Sequence, residues 1–346
     1  MACYFLSGDK LVKIRKNVGF CKYGTTTKTP AATKTYIINR PSFYLWQLHS
    51  KANNSTLVQN ESSLRIAIQK GGRLSEKTLA LLENIGLEFD SYKNRILVPC
   101  RNYDVELLLI RDDDIPEYVQ DGICELGFVG RNVTAENKAA VTSLRGLGFG
   151  KCRLSVAVPK NGGYKSLKDL EGCRIATSYP VLTRDHFEKQ GISIDTIEIS
   201  GAVEIAPTLN VADAISDIVS TGGTLKTNGL VELETILESE AELIQTNRAI
   251  APHKKELIQK FLMRIGARQQ AEKSRYIMMN APSGAVGEIC RIIPSLKSPT
   301  VLPLAENDMV AIHSVIPTHR FWEVMEDLKT AGASGIVILP IENMIV

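Results

Sequence analysis

The chain has 346 residues, 44% of them hydrophobic and 23% charged, enough to bury the cores of two or three domains and too apolar for a disordered protein. Its 41 basic and 38 acidic residues leave a net charge of +3, so no global field draws it to nucleic acid. No apolar run reaches the ~18 residues of a membrane helix, and the seven cysteines stand singly, without a Cys-x-x-Cys pair, as buried thiols of a reducing compartment do; a cytoplasmic protein is expected.

Charge is unevenly spread. Residues 1–62 hold nine basic residues against Asp9 and Glu61, a net of +7, and the remaining 284 residues come to −4. The segment is rich in Ser, Thr and Asn and shows no sustained helical or strand period. An organelle transit peptide would carry more arginine and a clear amphipathic helix, and a secretory signal needs an apolar stretch behind its first charges. The favoured reading is a basic extension, residues 1–63, that is disordered or arises from a start assigned upstream. An upstream assignment requires an alternative start codon before Leu64, because the next methionine is Met263.

From Leu64 the pattern becomes regular. LRIAIQ reads as a strand, Gly71 and Gly72 as a turn, and SEKTLALLENIG as an amphipathic helix with Ser75 as N-cap. Strands follow at RILVPC and VELLLI, then a helix opened by Asp114 and Pro116, then the buried strand ICELGFVG. CRLSVAVPK and CRIATSY flank a KSLKDLEG helix, VLTRDHFEKQG is helical, and TIEISG, ADAISDIVS and ELIQTN are strands. Strands alternating with helices predict parallel sheets covered on both faces, in two lobes with a ligand cleft between them. A long helix from Pro252 to Lys273 leads into SRYIMMNAP, SGAVGEICRIIP, TVLPLA, MVAIHSVIP, THRFWEVMEDLKTAGA and SGIVILPIE. Their order, β-α-β-β-α-β, is that of a ferredoxin-like domain.

The chemistry concentrates at Asp213–Leu225. In a strand, alternation puts Asp213 and Asp217 on one face. The following Ser220, Thr221, Gly222, Gly223 and Thr224 offer hydroxyls, close backbone approach and amides that an anion accepts from. This suits a ribose phosphate, with carboxylates for sugar hydroxyls or magnesium and amides for phosphate oxygens. A plain turn with two capping acids is the competing interpretation, and no Walker loop occurs. Lys70, Gly71, Gly72 and Arg73, after the first strand, form a second glycine turn flanked by cations and suited to a polyphosphate.

LRIAIQKGGRLSEKT, RDDDIPEYVQDG, ELGFVGRNV, GFGKCRLSVAVP, RIATSYP, GAVEIAP and ADAISDIVSTGGTL, with the tail pieces SRYIMMNAP, TVLPLA and GASGIVILPIE, resemble the long-form ATP phosphoribosyltransferases from Leu64 to Val346. The resemblance implies a two-lobed catalytic domain like periplasmic binding proteins and a ferredoxin-like regulatory domain. It places lobe I at 64–131 plus 221–267, lobe II at 132–220 and the regulatory domain at 268–346. It also implies attack of N1 of ATP on C1 of phosphoribosyl pyrophosphate with Mg2+, histidine as inhibitor, and dimers or hexamers. By the family pattern Ser220 to Leu225 hold the 5′-phosphate, Asp213 and Asp217 lie near the ribose hydroxyls, Lys70 and Arg73 face pyrophosphate or ATP phosphates, and Arg153, Thr177, Ser178 and Tyr179 line the cleft. Two positions depart from the family: Arg131 stands where an acid is common, and Gly148 where Asp is.

Other residues invite plainer readings. Asp112, Asp113 and Asp114 read as a helix-capping, solvated cluster in preference to a magnesium site. His313 and His319 are poorly spaced as metal ligands, the Met278-Met279 pair reads as core, and Glu204 is left between helix cap and substrate contact. The competing functions are a two-lobed binding protein and a catalytically inactive regulatory paralogue.

Overall fold

The computed structural model describes residues 3–7, 10–14, 62–90, 95–293 and 298–345. The chain divides into two compact units, Met1–Gln59 and Asn60–Val346. In the first, β1 (Cys3–Ser7) and β2 (Lys10–Ile14) pair antiparallel with Ser7 opposite Lys10. That hairpin was not anticipated, although a Gly-Asp pair between two runs of β-forming residues is its sequence sign. The expectation of disorder or an upstream start otherwise lies outside the described residues.

The second unit opens with β3 (Leu64–Gln69), α1 (Arg73–Asn84), β4 (Leu97–Pro99), β5 (Val105–Ile110), α2 (Ile115–Gln120), β6 (Leu126–Gly130), α3 (Arg131–Glu136) and β7 (Val141–Gly146). The chain then crosses to β8 (Cys152–Pro159), β9 (Arg174–Thr177), α4 (Pro180–Lys189), β10 (Asp195–Glu198), β11 (Ala214–Val219), α5 (Gly223–Thr227) and β12 (Leu230–Ser239). It returns through β13 (Ala241–Thr246) and α6 (Pro252–Glu272), and ends in β14 (Ser274–Pro282), α7 (Val286–Ile292), β15 (Thr300–Pro303), β16 (Met309–Pro317), α8 (Phe321–Thr330) and β17 (Ser334–Pro340).

Lobe I is a six-stranded sheet of order β4-β5-β3-β6-β13-β7, and lobe II a five-stranded sheet of order β10-β9-β11-β8-β12. The expected lobe limits are therefore wrong at both crossings. β7 belongs to lobe I, and α5 and β12 to lobe II, so the chain changes lobe between Gly146 and Cys152 and again between Ser239 and Ala241. β12 went unread because bulges between Glu232 and Glu234 and between Thr235 and Leu237 break its alternation. The sheets are also mixed rather than parallel: β13 runs antiparallel to β6 and β7, and β8 antiparallel to β11 and β12. Leu64, Ile66, Ile68, Leu107, Leu126 and Phe128 form the core of lobe I with Leu79 and Leu82 of α1 and Phe261 of α6. Val156, Val158, Ile175 and Phe187 pack on one face of the lobe II sheet, and Ala157, Ala176, Ile215 and Leu225 on the other.

Two helix predictions need correction. Ser75 is no N-cap: α1 starts two residues earlier behind Gly72, whose φ of 91° turns the chain, and Ser75 is buried in its first turn. KSLKDLEG forms only a 3-10 turn at Leu167–Leu170, closed by a Ser166/Asp169 capping box. Its two buried leucines are three apart, the repeat of that tighter helix, and Gly172 at φ 70° ends it. The last domain follows its predicted order, with β15-β16-β14-β17 all antiparallel around Ile277, Met279, Ile289, Ile312 and Leu328. Met279 enters that core while Met278 points to the opposite, half-buried face. Among the described residues, no helix is long and apolar enough to cross a membrane.

Candidate active-site cleft

Two strand-to-helix turns, one from each lobe, contribute residues to the cleft. β3 runs out at Gln69, and Lys70, Gly71, Gly72 and Arg73 turn into α1 on the surface. β11 runs out at Val219, and Ser220, Thr221 and Gly222 turn into α5, with Gly222 at φ 77°, the left-handed conformation glycine adopts at least cost. The amides of the first residues of each helix have no acceptor four residues back, so both turns present donors to an anion. Gln69, Arg73, Lys77, Asp112, Asn132, Lys151 and Ser220 line one cavity of about 340 Å³.

The β11 turn is braced from behind. Arg153, on β8 opposite Val219, donates Nη1 to the Ser220 carbonyl at 3.3 Å. The Arg153 fork is itself held by both carboxylate oxygens of Glu232 on β12. Arg153 pulls the Glu232 carboxyl down to about 2, with Ser155 and Thr235 hydroxyls assisting. Arg153 thus braces the loop and is not itself among the residues that line the 340 Å³ cavity.

Asp217 sits half-buried on β11 before the turn, its carboxyl pushed above the ordinary value of 3.8 by burial, with the charge of Glu204 adding to the rise. Burial likewise pushes the Tyr179 phenol up, and the negative charges of Asp217, Asp113 and Asp112 raise it further. These four side chains therefore share one electrostatic environment, formed by both lobes. Glu204, undecided from sequence, belongs to its edge.

Other expected residues are not brought there. Asp213 precedes β11, at the end opposite the glycine turn, and both its carboxylate oxygens are taken by Arg174 at 3.0 and 2.9 Å. Arg174 holds that carboxyl below 3.8. Thr177 is fully buried; its hydroxyl accepts from the Tyr179 amide at 2.9 Å and lies 3.3 Å from the Thr183 hydroxyl. Ser178 donates to the Ile199 carbonyl at 2.7 Å. The Leu225 side chain is in the lobe II core, leaving its amide alone for a ligand. Thr221, Gly223 and Thr224 are exposed at the turn.

Asp213→Asn is expected to leave kcat/KM within about threefold of the parent while lowering Tm by ~1–3 °C at neutral pH. A carboxyl depressed in the folded state contributes stability above its unfolded pKa and loses it as pH falls, so the two melting curves should converge below pH 3.8. A hundredfold loss of turnover by the variant would restore Asp213 to the site.

Sequence reasoning missed Gln69, Lys77, Asn132 and Lys151. Lys77 had a signal, since it follows Arg73 by four residues on α1 and so shares its face. Of the two departures, Arg131 is turned to the buried Glu242, with its Nε 3.8 Å from Oε2. Glu242 is also hydrogen-bonded by Ser143 at 2.7 Å, so the unusual cation is locally neutralised. Gly148 borders a second, 230 Å³ cavity with Lys77, Phe149 and Arg268. Its amide donates to Glu240 at 3.2 Å, beside one inter-lobe connection. Among the described residues there is no group of three or more His, Cys, Asp or Glu suited to a metal ion.

A sequence model of the family HisG: ATP phosphoribosyltransferase matches residues 111–267, and one of its C-terminal domain matches residues 271–343. The ATP phosphoribosyltransferase of Phocaeicola vulgatus is 46% identical over 282 residues, covering 82% of this chain and 99% of that protein. The one from Cytophaga hutchinsonii is 45% identical, covering 82% of this chain and 98% of its own length. Among solved structures, the ATP phosphoribosyl transferase (HisG:HisZ) complex from Thermotoga maritima contains a chain similar at 29% identity and a TM-score of 0.51, over 57% of this chain and 96% of that one.

Proposed function

The chain belongs to the ATP phosphoribosyltransferase family, and on that premise we propose that the 340 Å³ cleft is where the phosphoribosyl group changes hands. The reaction joins N1 of ATP to C1 of phosphoribosyl pyrophosphate, breaks the bond from C1 to the pyrophosphate oxygen, and releases phosphoribosyl-ATP and pyrophosphate. It is the first step of histidine biosynthesis.

The observation that supports the assignment is that residues bordering the two glycine turns, Gln69 and Arg73 from lobe I and Ser220 from lobe II, line a single cavity together with Lys77 and Lys151. The Ser220–Leu225 turn, with its free helix amides and the hydroxyls of Thr221 and Thr224, receives the 5′-phosphate. Asp217, half-buried at the end of β11, accepts from the ribose hydroxyls. Lys70, Arg73, Lys77 and Lys151, with the turn of Gly71 and Gly72, meet the pyrophosphate and the ATP phosphates. No nucleophile of the protein is needed, because a sugar carbon losing pyrophosphate becomes oxocarbenium-like. Positioning two substrates and stabilising the departing charge supply the rate.

Magnesium fits as an ion carried on the pyrophosphate. The described residues form no three-ligand cluster, and Mg2+ is commonly held by substrate phosphates plus one or two carboxylates, a part this reading gives to Asp112, which lines the cavity, and Asp217. Its chemistry there is to neutralise charge gathering on the leaving pyrophosphate. Chelation is expected to abolish turnover without lowering Tm.

The C-terminal domain, matched at residues 271–343, takes histidine as end-product inhibitor, and the protein acts as a cytoplasmic homo-oligomer. Full-length protein mixed with ATP, magnesium and phosphoribosyl pyrophosphate should form phosphoribosyl-ATP, read by ultraviolet absorbance, and millimolar histidine should slow it. Binding of both substrates without product would identify the inactive paralogue instead.

A further inference from the structure

We propose that α3 latches the two lobes shut over the substrates, with Glu136 as a positioning residue for the transfer; this builds on the placement of the reaction in the cleft. α3 lies between β6 and β7, both strands of lobe I, and α4 between β9 and β10, both of lobe II. The carboxylate of Glu136 nonetheless accepts from the Val181 amide at 2.8 Å on one oxygen and from the Leu182 amide at 2.9 Å on the other. α4 has no side-chain cap of its own and no acid in its first turn. Two of its orphan donors are thus satisfied only from the opposite lobe.

A second contact lies one turn back along α3. Asn132 is buried, its Oδ1 accepting from the Ser239 hydroxyl at 2.8 Å and its backbone amide donating to the same hydroxyl at 3.0 Å. So fixed, its Nδ2 donates to the Tyr179 hydroxyl at 2.9 Å. Ser239 ends β12 at one of the two inter-lobe connections. Any rotation about those connections that moves α3 away from α4 breaks the Glu136 and Asn132 bonds together. A third pair, Lys138 to Asp185 at 2.7 Å, is exposed and solvent-screened, which makes it the control.

If substrate binds productively only to closed lobes, its apparent affinity is reduced by the fraction open. A capping carboxylate shifts such an equilibrium by roughly 2- to 30-fold. Glu136→Ala should therefore raise KM for phosphoribosyl pyrophosphate roughly 5- to 30-fold with kcat within about twofold. Glu136→Gln, which keeps one acceptor, should fall between, and Lys138→Ala should change KM less than about twofold. Linkage is reciprocal, so phosphoribosyl pyrophosphate should slow hydrogen exchange at the Val181 and Leu182 amides of the wild type by a comparable factor. An unchanged KM in Glu136→Ala, a fall in kcat alone, or exchange indifferent to the ligand would overturn the latch. The exchange measurement needs no turnover and no variant. A wild type whose exchange responds to ligand but which forms no phosphoribosyl-ATP would refute the catalytic reading and leave the latch standing.

Discussion

Asp217→Asn is expected to cut kcat/KM by about 10²-fold or more while the protein folds at least as well as the parent. Asp217 sits half-buried near the end of β11 that leads into the glycine turn, and burial holds its carboxyl above 3.8. Keeping an anion in such a place has a cost that the enzyme bears because the ribose hydroxyls repay it only when substrate is bound. The sign of the pH dependence follows from that cost. A carboxyl raised in the folded state destabilises at pH values above its folded pKa, and the penalty vanishes as pH falls toward its unfolded value. The asparagine variant should therefore be the more stable near neutrality, and its advantage should disappear on acidification toward pH 3.8. The acid limb of kcat/KM in the wild type should lie above 3.8, and in the variant the residual rate should lose that limb. A variant with kcat/KM within twofold of the parent would remove Asp217 from the site.

The contrast with Asp213 shows what sequence could and could not supply. Alternation correctly assigns parity along β11, but parity says nothing about ends. At ~3.3 Å per residue, four residues separate the two acids by about 13 Å along the strand, enough to put Asp213 with Arg174 and Asp217 with Tyr179. Thr177 and Ser178 misled for another reason. The resemblance put them in the cleft, whereas one hydroxyl accepts from an amide two residues away and the other reaches the Ile199 carbonyl, local bonds that composition does not reveal.

Where a segment is regular and largely buried, the reading was accurate to the residue, as at β3, β5, β14 and β16. Where a bulge interrupts the period, as in β12, an entire strand disappeared and took a lobe boundary with it. The brace of Arg153 on Glu232 depends on that strand and was therefore invisible to a reading that placed Arg153 in the cleft by family resemblance alone. The inter-lobe bonds of Glu136 and Asn132 join residues ~45 positions apart in different lobes and leave no periodic trace at all.

The second large effect is expected at Gly222→Val, which should raise KM for phosphoribosyl pyrophosphate by about 10²-fold. Gly222 stands at φ 77° as the residue that opens α5, and a side chain in the left-handed conformation costs ~1–2 kcal/mol, more when β-branched. The strain is relieved by moving the turn, and the amides of Gly223, Thr224 and Leu225 move with it. α5 is only five residues long and anchored by the buried Leu225, so little else keeps those donors converging. Stability alone does not distinguish a distorted cradle from a generally weakened fold. Gly172→Val provides that distinction, because Gly172 has φ 70°, has open space around its missing side chain, and follows the 3-10 turn of Leu167–Leu170 instead of opening α5. Both variants should lose Tm by a similar few degrees, but only the Gly222 variant should lose affinity for the phosphoribosyl donor. Equal KM values in the two variants would mean that the turn after β11 does not hold the 5′-phosphate.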